Sequence, residues 1–315
     1  MASAATTALR RALLYVPASS QKMLQKSLTL MSDNITYDLE DSVTSQQKPA
    51  ARSALKDHLS NLPQRPASIG ELAVRINAMP TAHAEEDLRT LAALPNVDAI
   101  VIPKVNSPND LHTATEIIRR VSPSRATPLK LIALIESARA VMDIREICSA
   151  TPALDGLVFA AEDFALDMSL TRTPSLQEFH YARSAVATAA RAFDLASAID
   201  LVCTSFRGEE GLRRLEEECR NGRGMGFNGK QCIHPSQVEV VQRVFGPDEE
   251  ELEWAVRVVV ADEKAERAGR GAWTLDGKMI DAPVSGKARA VVAQAERCGL
   301  DVAALREKWK GQEPE

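Results

Sequence analysis

Short apolar runs, each ending in a polar or charged residue, recur along the chain and alternate with longer stretches of helical periodicity. The clearest run is Lys130-Leu-Ile-Ala-Leu-Ile-Glu136. Its apolar residues do not alternate with polar ones, which marks a strand buried on both faces. Leu157-Val-Phe-Ala-Ala-Glu-Asp163 has the same form. Further strands are predicted at 12–16, 34–39, 71–76, 98–102, 198–202 and 229–233. Helices are predicted between them at 21–31, 48–59, 84–94, 109–121, 138–150, 176–193 and 208–221.

Eight strand–helix units in about 235 residues suit a (β/α)8 TIM barrel. A doubly wound open sheet would need a Gly-rich phosphate turn after the first strand, and Pro17-Ala-Ser-Ser-Gln21 is not one. The pattern then changes. Helices are predicted at 235–245, 248–268 and 284–298, with a tight hairpin at Asp276-Gly277. The expected organisation is a TIM-barrel domain over 1–247 and a helical extension over 248–315. That extension is too small to stand alone, so it is expected to pack on its own barrel or on another subunit.

Composition narrows the classes. Of 315 residues 45% are hydrophobic and the net charge is −5, which gives no reason to expect nucleic acid as a partner. No apolar stretch approaches the about 18 residues of a membrane span. Five cysteines are scattered without a CxxC, so reduced core thiols in an intracellular protein are expected. Residues 1–11 are rich in Ala and Thr and contain no acid. They fit a mitochondrial presequence stub or a frayed N-terminus, which leaves matrix and cytoplasm both open.

Candidate chemistry follows from where the polar residues fall. Glu40, Asp41, Arg75, Lys104, Glu136, Asp163 and His234 all lie at or just past the C-terminal ends of predicted strands. In a barrel those ends converge on one mouth, where such enzymes keep their chemistry. Glu136 and Asp163 would be neighbours there, and hard oxygen ligands with room for water and substrate suit Mg²⁺. Either carboxylate could instead cap a helix or pair with an arginine. Asp281 could likewise be a helix N-cap, since a helix starts just after it. Lys22 and Lys26 lie one helical turn apart on one face.

These residues carry a resemblance. Arg11-Ala-Leu-Leu-Tyr-Val-Pro17, Tyr37-Asp-Leu-Glu-Asp41, Val74-Arg-Ile-Asn77, Ile102-Pro-Lys104, Leu134-Ile-Glu136 and Phe159-Ala-Ala-Glu-Asp163 appear in order. Gly226-Phe-Asn-Gly-Lys-Gln-Cys-Ile-His-Pro235 and Gly277-Lys-Met-Ile-Asp-Ala-Pro283 follow them. Together they resemble the CitE-like family, which comprises the citrate lyase β subunit and the malyl-CoA and citramalyl-CoA lyases. The resemblance implies Mg²⁺ ligands at Glu136 and Asp163 and a carboxylate-binding guanidinium at Arg75. It implies substrate or coenzyme A contacts at Tyr15, Lys22, Lys26, Ile233 and His234. It also implies a catalytic aspartate, Asp281, that reaches a neighbouring subunit of a homotrimer or dimer of trimers. Glu40 and Asp41 would orient the metal's waters. Ala160-Ala161 and Ala18 stand where the family commonly has glycine, a departure that bears on substrate identity.

The implied reaction is cleavage of (3S)-citramalyl-CoA to pyruvate and acetyl-CoA. Malyl-CoA lyase, thioesterase or malate synthase activity, citrate lyase β chemistry on a carrier-protein thioester, and a non-catalytic CoA-binding subunit are the alternatives.

Overall fold

The uninterrupted apolar runs become the staves of a closed barrel. The computed structural model describes residues 9–125 and 127–315. Its eight strands pair in chain order, all parallel, with the last returning to the first. They are β1 (Ala12–Pro17), β2 (Ser32–Asp38), β3 (Ile69–Arg75), β4 (Ala99–Ile102), β5 (Lys130–Ile135), β6 (Leu154–Phe159), β7 (Ser197–Asp200) and β8 (Gly229–Cys232). Around them run α1 (Gln21–Ser27), α2 (Lys48–Ser60), α3 (Ala82–Leu91), α4 (Pro108–Val121), α5 (Ala138–Met142), α6 (Ile144–Ser149), α7 (Ala161–Asp167), α8 (His180–Ala192), α9 (Gly208–Gly224) and α10 (Val238–Phe245). The chain is thus a (β/α)8 barrel. The start of the chain that reads as a presequence stub lies, through residue 8, outside the described residues.

Inside the barrel, side chains stack in layers because every second residue of a strand points inward. The bottom layer is polar. Arg10, 2% exposed, donates to Glu71 at 2.6 and 2.7 Å and to Ser197 at 3.0 Å, and pairs with Asp155 at 2.6 Å. Asn34 donates to the same Glu71. Above it lies an apolar layer that includes Leu13, Ala73, Val101, Leu134, Val158 and Ile199. One inward step further up each strand brings Tyr15 above Leu13, Arg75 above Ala73 and Glu136 above Leu134. The two-residue period therefore delivers those side chains to the C-terminal mouth.

Several elements differ from the pattern read in the sequence. The segment 138–150 divides at Asp143 into α5 and α6. The first helix stops at Ser27, whose hydroxyl bonds the Leu24 carbonyl and the Tyr37 hydroxyl. The strand ending near Phe159 starts earlier than Leu157, because Asp155 finds Arg10 and Lys130 as partners and so tolerates its place there. Helix α7 has no counterpart in that reading, and it carries Asp163 in its first turn rather than at a strand tip.

The chain divides into Met1–Gln242 and Arg243–Glu315, slightly ahead of the expected boundary. The second unit holds α11 (Glu249–Arg267), a hairpin of β9 (Trp273–Leu275) and β10 (Lys278–Ile280), α12 (Ala282–Arg297) and α13 (Val302–Lys308). The last helix was not anticipated. This unit has an apolar cluster of its own, with Val256, Val259, Trp273, Leu275 and Ile280 among its members. The hairpin turn has positive φ at both Asp276 (49°) and Gly277 (73°), the conformation that a two-residue turn of this hand requires. Among the described residues no helix is long and apolar enough to cross a membrane.

Candidate active site

The register of β2 and β3 sets Asp38 beside Arg75 at the mouth, and on β1 Tyr15 lies opposite Thr36, two residues before Asp38. Arg75 is clamped by Asp38, Nε to Oδ1 and Nη2 to Oδ2, both at 2.7 Å. Asp38 is 1% exposed and also accepts from the backbone N–H of Glu40 at 2.9 Å and of Ser42 at 3.1 Å. Burial alone would raise the Asp38 pKa, but Arg75 and the loop N–H groups hold it below the ordinary value. The guanidinium carbon sits 4.5 Å from the centre of the Tyr15 ring. Tyr15 in turn donates to Gln231 Oε1 at 3.0 Å. Gln231 Nε2 anchors on the carbonyls of Phe159 at 2.9 Å and Asp200 at 3.2 Å. One edge of the arginine fork is therefore already taken. Its Nη1 faces Glu40 at 3.2 Å and Asp41 at 3.5 Å.

Glu136 follows the last residue of β5 and is 5% exposed. It accepts a hydrogen bond from the Lys104 backbone N–H. Burial, with the charge of Asp163 added, pushes its pKa up to about 8. Asp163 is more open, its side chain 36% exposed. Glu40 is also raised, to about 7, by burial and with Asp41 adding to it, although Arg75 and Lys104 oppose the rise. The Lys104 ammonium reaches Glu40 at 2.5 Å, Asp41 at 3.7 Å and Asp163 at 3.9 Å.

Two carboxylates, one of them buried and resisting ionisation, fit a hard divalent cation, which would favour the charged form of both. Among the described residues no group of three or more His, Cys, Asp or Glu side chains is set to hold a metal. A cation between Glu136 and Asp163 would therefore complete its shell with water or substrate oxygens. The buried thiols are not candidate nucleophiles. Burial raises Cys148 to about 11 and Cys219 to about 12, so both stay protonated.

Tyr15, Asp41, Arg75, Glu136, Asp163 and Ile233 line one cavity of about 400 Å³, together with Asp38, Gln231, Ala160 and Ala161. Glu40 joins the group through Arg75 and Lys104. Lys22 and Lys26 are exposed on α1. Ile233 is 44% exposed, and its backbone N–H is held by Gln237 at 2.8 Å. His234 is exposed and stacks on Phe206 at 5.1 Å between ring centres. Asp281, in the second unit, caps α12 and accepts from the Val284 N–H at 3.1 Å. Asp38 and Gln231 escaped the sequence reading. A carboxylate inside a buried strand must find a partner, and that was the available signal for Asp38.

A closed parallel barrel with acids and cations gathered at its C-terminal mouth is the build of a barrel enzyme. The chain belongs to the HpcH/HpaI aldolase/citrate lyase family, whose pattern matches residues 11–235. It is 35% identical over 299 residues to the human mitochondrial citramalyl-CoA lyase, covering 91% of this chain and 85% of that one. It is 36% identical over 288 residues to a (3S)-malyl-CoA thioesterase of Cereibacter sphaeroides, covering 91% and 94%. Among solved structures, CitE from Mycobacterium tuberculosis in complex with magnesium, acetoacetate and coenzyme A is similar with a TM-score of 0.73 and 32% identity. That similarity covers 92% of this chain and 99% of the other.

Proposed function

We propose that the chain is a magnesium-dependent acyl-CoA carbon–carbon lyase that cleaves (3S)-citramalyl-CoA to pyruvate and acetyl-CoA. The observation that carries the reading is the pairing of buried Glu136 with Asp163 beside a clamped Arg75. It is supported by the likeness to a citramalyl-CoA lyase over 91% of the chain.

Glu136 and Asp163 would hold the metal, which when bound would supply Lewis-acid polarisation at the 2-hydroxy acid end of the substrate. Arg75 meets that carboxylate through Nη1. Asp38 and Tyr15 fix the guanidinium plane, so little reorganisation is needed as charge develops. Asp281, supplied by a neighbouring subunit of a trimer, takes the hydroxyl proton. The oxygen left behind forms the keto group of pyruvate as the C–C bond breaks, the electron pair of that bond passes to the α-carbon of the thioester, and the resulting enolate takes back the proton held by Asp281 to give acetyl-CoA. Lys22 and Lys26 suit the phosphates of coenzyme A as point charges, and Ile233 and His234 form another part of the acyl-CoA contact.

A second reading, thioester hydrolysis, is favoured by the likeness to the malyl-CoA thioesterase. One experiment decides. A panel of citramalyl-, malyl- and other 3-hydroxyacyl-CoA thioesters is incubated with enzyme and Mg²⁺, and the products are read by mass. Pyruvate with acetyl-CoA supports the lyase. Free hydroxy acid with coenzyme A supports hydrolysis, and no turnover of any thioester refutes both.

A further inference from the structure

Lys104 touches both carboxylates assigned to the metal, each in a different way. Its backbone N–H bonds Glu136, and its ammonium lies 3.9 Å from Asp163. The same ammonium is tied to Glu40 at 2.5 Å and lies 3.7 Å from Asp41. The residue is held at a φ of 52°, the left-handed region that a lysine adopts only at a cost. That conformation lets one residue aim its N–H at β5 and carry its side chain over the acids. The Lys104 side chain is 40% exposed, so this is not a fully buried structural pair.

Building on the metal reading above, the geometry points to Lys104 as a resident counter-cation that competes with the divalent ion for the carboxylates of the mouth. A fixed positive charge beside Asp163 opposes a second cation on the same oxygen. By neutralising Glu40, it also withholds a carboxylate that would otherwise draw the metal in. Lys104 therefore weakens divalent binding, while its backbone keeps Glu136 oriented to receive it. Positioning and competition are separable, because only the second depends on the side-chain charge.

The test is Mg²⁺ binding to the full chain without substrate. It is followed by isothermal titration calorimetry and, independently, by the rise in melting temperature with Mg²⁺, since a ligand of the folded state stabilises it. Lys104→Met should bind Mg²⁺ about tenfold tighter than wild type, a modest share of the Coulomb repulsion removed at such distances. Lys104→Asn, whose side chain tolerates the left-handed backbone, should do the same and serves if the methionine variant does not fold. Lys104→Arg keeps the charge and should stay within about twofold of wild type. Equal or weaker binding in the neutral variants, or tighter binding in the arginine variant as well, overturns the competition and leaves the metal site standing. Wild-type protein that takes up no Mg²⁺ in either measurement overturns the metal reading and this inference with it.

Discussion

Replacing Asp38 by asparagine should destabilise the barrel, because the site leaves no acceptable orientation for an amide. Oδ1 accepts from Arg75 Nε and from the Glu40 N–H, while Oδ2 accepts from Arg75 Nη2 and from the Ser42 N–H. Whichever way the amide is turned, its NH₂ faces two donors. Two hydrogen bonds are lost, one of them to a charged group. Breaking a buried ion pair costs about 3–5 kcal/mol. Arg75 keeps Glu40 at 3.2 Å and Asp41 at 3.5 Å, so its charge is not stranded and the low end of that range applies, about 3 kcal/mol. Urea unfolding followed by circular dichroism at pH 7 measures the loss. A second arm varies pH. The folded-state pKa of Asp38 lies below its ordinary value, so its contribution is present above about pH 4 and is lost as pH falls through the folded pKa. The gap between wild type and Asp38→Asn should therefore narrow in acid. A loss under about 1 kcal/mol at neutral pH would show that Asp38 does not carry Arg75 in the way the bonding implies.

Three further outcomes follow from the site. Arg75→Lys keeps a charge but cannot both grip Asp38 and present a second nitrogen, so kcat/KM should fall by about 1–3 kcal/mol in transition-state terms; an unchanged value removes Arg75 from substrate binding. Exhaustive EDTA treatment should abolish turnover, Mg²⁺ should restore it, and Glu136→Gln should behave as the chelated enzyme does; full activity after chelation contradicts the metal assignment. If Asp281 serves a neighbouring subunit, mixed oligomers of Asp281→Ala and Glu136→Gln should regain part of the wild-type rate, since some mouths then receive both intact residues. No recovery in mixed oligomers confirmed by native mass spectrometry would mean that Asp281 acts within its own chain or not at all.

The barrel was legible because its strands carry the signal of burial on both faces, and 131–135 becomes β5 almost to the residue. The site was legible where a charged residue ended such a run, as with Arg75 and Glu136. Asp163 showed itself only by type. The run Phe159-Ala-Ala-Glu-Asp163 looks continuous, whereas the chain turns at Ala160 into a new helix. What stayed hidden is pairing over long sequence distances. Nothing local to Tyr15 announces Gln231, 216 positions away, and nothing near Arg75 says that Asp38 has already claimed one edge of its fork. Lys104 was visible as a strand-end cation, but its backbone conformation was not, since a lysine gives no hint of the left-handed region.

The polar floor of the barrel bears on the order in which the chain can fold during synthesis. Arg10, next to β1, needs Glu71 on β3, Asp155 on β6 and Ser197 on β7, and β1 itself is sealed only when it pairs with β8. A ribosome making about 5–20 residues per second needs on the order of 10–40 seconds to deliver the last stave after the first. Through that interval β1 has an unpaired edge, and until Ser197 is made Arg10 has an incomplete set of partners. Nascent chains halted before Gly229 should accordingly be open-edged and prone to associate with one another, and resumed synthesis through β8 should convert them to a closed form within the time of a single late step.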